Sequence, residues 1–358
     1  MCLVALYMKA RLPQVPQTAI ASAKEQEPVG HLNVCISRRR LSALGEAIGF
    51  ESDGLNEHLM EPDICQKSVH VRRGLLTSVS FLSRVGKIPN NPNKVNQDRC
   101  WVTELLDRSG RMYKFCGVAD GHGVHGHSVA DMIRTQLGVV LEKQLSQSSD
   151  VKTALIQAHR KMSTDILDSY LDVSFSGTTS VSILLIDNRV SCANIGDSRA
   201  VVGSLKSGKW IPFALSTDHK PDLPEEQKRI LSKGGRVAAY TGPKGDPVGP
   251  ARVWLKTRDL PGLAMSRSFG DKIAASVGVS AEPEITEMEL TSSDKILVLG
   301  SDGVWEFLSN QDAIDIVSPF YDSGDSKGAS EALCARAEQR WQQEECIVDD
   351  ITAVVLFF

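Results

Sequence analysis

Four times along this chain an apolar, strand-like run meets an aspartate, and in three of the four a glycine lies beside it. The instances are Val118-Ala119-Asp120-Gly121-His122, Ile195-Gly196-Asp197-Ser198 and Leu297-Val298-Leu299-Gly300-Ser301-Asp302-Gly303, with a variant at Val348-Asp349-Asp350-Ile351-Thr352 just before the last run. A carboxylate at a sheet edge points outward from a rigid scaffold, and a neighbouring glycine lets backbone and ligand approach closely. Taken singly, each Asp-Gly is ordinary turn chemistry. Repeated in one domain, the pattern suggests sheet edges whose carboxylates converge. Converging carboxylates repel, and they persist as anions only with a cation between them. An all-oxygen donor set favours magnesium, manganese or calcium over zinc.

The rest of the pattern predicts the architecture that holds these edges. Apolar strand-like runs recur at 74–83, 98–106, 112–119, 178–186, 190–195, 199–203, 210–215, 295–300 and 351–358. Short links such as Ile186-Asp187-Asn188-Arg189, Gly196-Asp197-Ser198 and Ser204 to Lys209 imply antiparallel neighbours. Helical periodicity covers Ser128 to about Leu145, with Val129, Met132, Ile133, Leu137, Val140 and Leu141 on one face, and then 151–171. A third helix starts at Pro224 and stops at Gly234-Gly235, Ser309 is placed to cap a fourth, and a fifth covers about 327–343. Strands cluster and helices come in pairs, so the expected class is α+β: two packed antiparallel β-sheets flanked by pairs of α-helices. A doubly wound parallel sheet would need strict alternation, which is absent.

Residues 71–358 are expected to form one catalytic domain. Residues 1–70 lack a long apolar period and read as a weakly ordered extension with one short helix near 40–49. Within it, Arg38-Arg39-Arg40-Leu41-Ser42 matches a basophilic kinase site or a short basic nuclear signal, patterns that recur by chance on solvated turns. The 42% hydrophobic and 23% charged content suffices for a sizeable core. A net charge of -4 gives the chain no electrostatic grip on nucleic acid or an anionic membrane. Eight scattered cysteines without a CxxC pair argue against structural zinc and for a reducing compartment. No window of 18 apolar residues suggests a membrane span, and the opening residues lack the charge order of a secretory signal. A monomeric cytoplasmic or nuclear protein is expected.

Two nucleotide-like motifs fail on context. Gly121-x-Gly123-x-x-Gly126 follows a strand, but a second helix comes where a dinucleotide fold needs another strand. Gly203-x4-Gly208-Lys209 has Trp210 in place of the magnesium-binding hydroxyl, and it joins two strands. Three histidines crowd at His122, His125 and His127, yet one turn supplies poor tetrahedral geometry for zinc. A histidine next to a metal-bound aspartate is better suited to act as general acid.

The ordered set of short motifs resembles the protein phosphatase 2C family, the metal-dependent serine/threonine phosphatases. It comprises Asn96-Gln97-Asp98, Val118 to Gly123, Ser176-Gly177-Thr178-Thr179, Asn194 to Ala200, Asp218-His219-Lys220-Pro221, Gly234-Gly235-Arg236-Val237, Leu263 to Asp271, Ser301 to Glu306 and Asp349-Asp350-Ile351-Thr352. The resemblance covers about three quarters of the chain. It implies that Asp120 bridges two Mg²⁺ or Mn²⁺ ions, that the Gly121 carbonyl binds one, and that Asp302 and Asp349 hold the other. Asp98 would act through bound water, and Asp197 would help hold a weaker third ion. Lys94 is the nearest candidate for the basic phosphate-binding residue, although its spacing is one residue short. Gln97 stands where many members carry Glu, and Arg267 is expected to be structural.

The implied reaction is dephosphorylation of phosphoserine and phosphothreonine in proteins by metal-activated water, with no covalent intermediate and with His122 as general acid. Residues 220–262, with Gly and Pro at Tyr240 to Pro247, are expected to form a flap beside the site. The competing class is a catalytically weak or inactive protein that keeps the phosphatase fold for binding or regulation. Retention of Asp120, Asp302 and Asp349 argues against it. A two-metal nuclease is a further alternative, disfavoured by the net acidity.

Overall fold

The computed structural model describes residues 64–70, 76–148 and 150–358. The short helix expected near 40–49 and the Arg38–Ser42 motif lie outside the described residues. Strand β1 (Ile64–His70) pairs antiparallel with β2 (Ser78–Arg84), so the sheet begins inside the stretch expected as an extension. The run Ile-Cys-Gln-Lys-Ser-Val-His is only weakly apolar, which is why no strand was expected there.

Two antiparallel sheets face each other. The first runs β1-β2-β16-β15-β8-β9, with β8 Arg199–Lys206, β9 Lys209–Ala214, β15 Asp294–Gly300 and β16 Ile351–Phe357. The second is built around β4 (Met112–His122), which pairs with β3 (Asp98–Leu106), β5 (Gly177–Thr178) and β6 (Ser180–Ile186). It continues through β7 (Arg189–Ile195) to β14 (Glu284–Glu289), and the short β13 (Phe269–Gly270) pairs with β5. Successive strand residues face opposite sides, and the burial follows that rule. On β15, Leu297 and Leu299 enter the layer between the sheets, while Ile296 and Val298 face the helices. On β16, Val354 and Leu356 go inward and Ala353, Val355 and Phe357 go outward. A strand covered on both faces reads as one continuous apolar run, and all seven residues of β16 are buried.

Helices α1 (Gly126–Leu145) and α2 (Val151–Leu167) cover the second sheet. The stripe Val129, Ile133, Leu137 and Leu141 packs with Phe115, Leu155, Met162 and Ile166. Asp150 caps α2 by accepting from the Thr153 amide, and the helix ends at 167 rather than 171. After a third helix, α3 (Pro224–Ser232), and two four-residue helices, α4 (Lys272–Ala275) and α5 (Asp302–Trp305), come α6 (Asn310–Val317) and α7 (Ser326–Glu344). The last two cover the first sheet through Ile314, Leu333, Ala337 and Trp341. Ser309 caps α6 in a reciprocal box with Asp312.

Residues 220–262 are more than a loop. Besides α3 they hold β10 (Gly235–Thr241) and β11 (Pro247–Leu255), which with β12 (Pro261–Leu263) make a separate three-stranded sheet. A small core of Ile230, Val253, Ala274, Val277 and Val279 lies beneath it. The Ser207-Gly208 turn joins β8 to β9 with both residues at positive φ, as a tight hairpin requires. That assigns the Gly203–Lys209 motif to a hairpin.

Candidate active site

Antiparallel register brings the aspartates to one end of the sandwich. The carboxyl ends of β4, β7 and β15 lie beside the amino ends of β3, β6, β8 and β16, because Asp98 pairs with Asp120, Ile195 pairs with Ser180, and Gly300 pairs with Arg199 and Ala353. Asp120 and Asp98 share strand parity with Val118 and Cys100, so their side chains point between the sheets, toward the first one. Ser301 closes the gap, its hydroxyl donating to Asp98 Oδ2 at 2.7 Å. The Thr352 amide donates to Ser301 Oγ at 3.1 Å, and Ser83 Oγ lies 2.7 Å from Thr352 Oγ1. Asn96 completes the chain, donating to Ser83 Oγ at 2.9 Å and accepting from the Asp98 amide. The two sheets are thus pinned together at the carboxylate end.

Two glycines permit the close approach. A Cβ on Gly303 would lie 1.9 Å from the Asp350 carbonyl, so only glycine lets the start of α5 carry Asp302 against the segment that carries Asp349. A Cβ on Gly121 would lie 2.4 Å from the Gly126 carbonyl, which fixes how the first turn of α1 folds back on Asp120-Gly121-His122.

Electrostatics record the convergence. Burial raises the pKa of Asp120 well above the usual carboxylate range, and Asp302, Asp98, Asp349 and Asp197 push it further. Burial also raises Asp98, reinforced by Asp350 and Asp349. Six aspartates, at 98, 120, 197, 302, 349 and 350, therefore share one poorly hydrated region. Among the described residues no three acidic, imidazole or thiol groups form a preformed cation cage. The fit to a divalent cation rests on the donor set, which is carboxylates and a backbone carbonyl, and on Asp98 Oδ1, a buried oxygen with no hydrogen-bond partner among the described residues.

Asp349 and Asp350 have different surroundings. Asp350 accepts from Lys94 Nζ at 2.5 Å, from the Gly86 amide at 2.7 Å and from the Gln97 amide at 2.8 Å, and it is buried. Asp349 lies in the field of Asp120 and Asp98, and its Oδ1 accepts from the Asp350 amide. Lys94 is largely buried in this ion pair, its side chain 12% exposed. Burial opposes its charge, but Asp350 and Asp349 outweigh it and raise the pKa. Asp197 sits in the β7–β8 turn, buried, with Lys220 Nζ 2.5 Å from its Oδ2.

His122 Nε2 lies 2.6 Å from Asp271 Oδ2. Burial of the ring disfavours its cationic form, but the Asp271 carboxylate outweighs this and raises the pKa above that of an ordinary histidine. Its Nδ1 is buried with no hydrogen-bond partner among the described residues. Asp271 is buried, adopts φ 43° and is held by the Ser268 hydroxyl and by its own amide to the Ser176 carbonyl. The sequence offered no role for Asp271, 149 positions from its partner. The one available signal was its place at the end of the Leu263–Asp271 motif. Arg199 was also missed: it holds Asp218 through Nε at 2.8 Å and Nη2 at 2.6 Å and lies over the Trp305 ring, bracing the Asp197 turn against α5. Gln97 bridges to the Gly123 carbonyl through Nε2 at 2.7 Å. Arg267 pairs with Glu226, 2.8 Å away.

The chain is similar to known proteins in sequence and in fold. The sequence profile of the family described as Protein phosphatase 2C matches residues 101–345. A relative from Arabidopsis thaliana, "Probable protein phosphatase 2C 72", is 39% identical over 259 residues, covering 68% of this chain and 76% of its own. One from Oryza sativa subsp. japonica, "Probable protein phosphatase 2C 64", is 40% identical over 253 residues, 68% of this chain, and this chain spans only 58% of it. The crystal structure of a serine-threonine phosphatase 2C from Toxoplasma gondii superposes with a TM-score of 0.67 at 21% identity, covering 83% of this chain and 100% of that one, which speaks to fold. Among the described residues no helix is long and apolar enough to cross a membrane. The chain belongs to the protein phosphatase 2C family and is a protein phosphatase.

Proposed function

We propose that this chain removes phosphate from phosphoserine and phosphothreonine by direct attack of water, with Mg²⁺ or Mn²⁺ held by the converging aspartates. The observation that carries this is the gathering of Asp98, Asp120, Asp197, Asp302 and Asp349 at one end of the sandwich. Asp120, the Gly121 carbonyl, Asp302 and Asp349 would hold two ions, Asp98 would orient water, and Asp197 would serve a weaker third ion. Divalent cations bound there supply Lewis acidity, lowering the pKa of water and offsetting phosphate charge.

The chain's own groups do the rest. Asp271 fixes the His122 ring through Nε2 and keeps it protonated, which leaves Nδ1 to hand a proton to the departing serine or threonine oxygen. Lys94, held cationic beside Asp350, keeps two further N–H donors for a phosphate oxygen. No side chain is assigned as nucleophile, so no phospho-enzyme forms. The substrates are phosphorylated proteins, handled by a monomer.

The test is hydrolysis of a phosphothreonine peptide with manganese or magnesium. Turnover that chelator abolishes and Asp302→Asn eliminates is expected. Full turnover in chelator, or a trapped phosphorylated side chain, would overturn the mechanism. Peptide binding without turnover would instead favour the non-catalytic alternative.

A further inference from the structure

Among the described residues most large apolar side chains are buried, yet three exposed ones border the carboxylate end. Val95 is 57% exposed, Val124 70% and Phe175 47%. They come from three segments that otherwise carry the site: Val95 follows Lys94 and precedes Asn96-Gln97-Asp98, Val124 follows Asp120-Gly121-His122-Gly123, and Phe175 precedes Ser176-Gly177. These segments meet at Gly123. The Gln97 side chain donates to the Gly123 carbonyl at 2.7 Å, and the Gly121 amide donates to the Gln97 carbonyl at 3.3 Å. The His125 amide donates to Ser176 Oγ at 3.1 Å. Gly123 lies so close to the third segment that a Cβ on it would be 2.3 Å from the Phe175 carbonyl. The same segment reaches the general acid's partner, since the Asp271 amide donates to the Ser176 carbonyl at 2.9 Å.

Held apolar side chains that remain in water cost free energy unless a partner covers them. The three segments also carry Lys94, Asp98, Asp120 and His122 or reach Asp271, so a phosphorylated residue held by those groups would bring its own neighbours to these side chains. We propose that Val95, Val124 and Phe175 form an apolar recognition rim that selects phosphoprotein segments bearing a large aliphatic or aromatic side chain beside the phosphoserine or phosphothreonine. The proposal rests on the catalytic reading above and adds a substrate class to it. A lysine or aspartate in the same position would find no partner on the rim and would lose hydration there.

The experiment compares kcat/KM for paired phosphothreonine peptides that differ only in leucine or lysine at the flanking positions. Each variant's rate on a small aryl phosphate normalises its catalytic content. The parent should favour the leucine peptide by about tenfold, the discrimination a hydrophobic pocket gives. Val124→Ser and Phe175→Ser should bring that ratio toward one, whereas Ile211→Ser, an exposed apolar residue on β9, should leave it unchanged. Peptide binding by fluorescence anisotropy should give the same ranking, so a chain that failed to hydrolyse any phosphate would strike the catalytic reading and still decide this one. Equal use and equal binding of both peptides by the parent, or an unchanged preference in the double variant, would overturn the rim.

Discussion

Two buried acidic centres in this molecule behave in opposite ways. Glu226, on α3, is met by Arg229 in two parallel hydrogen bonds of 2.7 Å, by Arg267 at 2.8 Å and by the Ser266 hydroxyl at 2.5 Å. Burial alone would raise its pKa, but these partners pull it well below the usual carboxylate range. Asp120 is surrounded mainly by other carboxylates and is pushed the other way. The fold supplies the counter-charge at Glu226 from its own chain. At Asp120 it gathers acid against acid, with Lys94 and Lys220 paired to the flanking Asp350 and Asp197. A buried carboxylate with arginines around it is a joint, and one with carboxylates around it is a candidate site.

The largest effect expected from this contrast is on turnover. Asp302→Ala should lower kcat on a phosphothreonine peptide by roughly 10⁴-fold or more, because the charge stabilisation of the whole centre goes with it. His122→Ala should cost about 10²–10³-fold, within the range for one general acid. Its loss should be smaller on an aryl phosphate, whose leaving group needs no proton. Equal losses for the two variants on both substrates would contradict this division of labour.

Thermal unfolding without divalent cations separates the two centres next. Glu226→Gln should destabilise by about 3 kcal/mol or more, since it strands Arg229 and Arg267 in a poorly hydrated place. Asp120→Asn should be neutral or stabilising, because it removes one of several repelling charges. Destabilisation by both would mean that the Asp120 cluster is internally satisfied.

The smallest effects concern pH, again in the cation-free chain. Asp98 is pushed up to about 8, so its contribution to stability is complete below about pH 4 and is lost as pH rises through about 8. Glu226 and His159 slope the other way. Glu226 contributes above its unfolded value and loses that contribution as pH falls below it. The His159 ring is fully buried on Phe269 and its pKa is lowered to about 4, chiefly by burial. It is neutral in the fold, and its stability is present above about 6.5 and lost as pH falls through about 4. Replacing His159 with leucine should flatten the acid limb of a stability–pH curve, and replacing Asp98 with asparagine should flatten the alkaline limb.

What the sequence yielded and what it withheld follow from the range of the interactions. Strands such as β16 and helices such as α1 were readable because period and burial are local to the chain. The aspartates were readable because each sits where an apolar run breaks, although the structure places Asp120, Gly121 and His122 inside β4 and not beyond its end. Asp271 was not, because its partner His122 is 149 positions away. Strand β1 was missed for want of apolar alternation, and the strands of the small β10–β12 sheet went unseen inside the expected flap because their glycines and prolines look like turn chemistry. The neighbouring residues Asp349 and Asp350 could be ranked only by family position. Their surroundings differ because Gly86, Lys94 and Gln97 converge on Asp350 from over 250 positions away.

The gathered carboxylates are expected to hold divalent cations. Titrating manganese into the chelator-stripped chain by isothermal titration calorimetry, beside Asp302→Asn, tests it most directly. At least two ions per parent chain are predicted, with weaker binding and lower stoichiometry in the variant. No saturable binding to the parent, or an identical isotherm for both proteins, would contradict it.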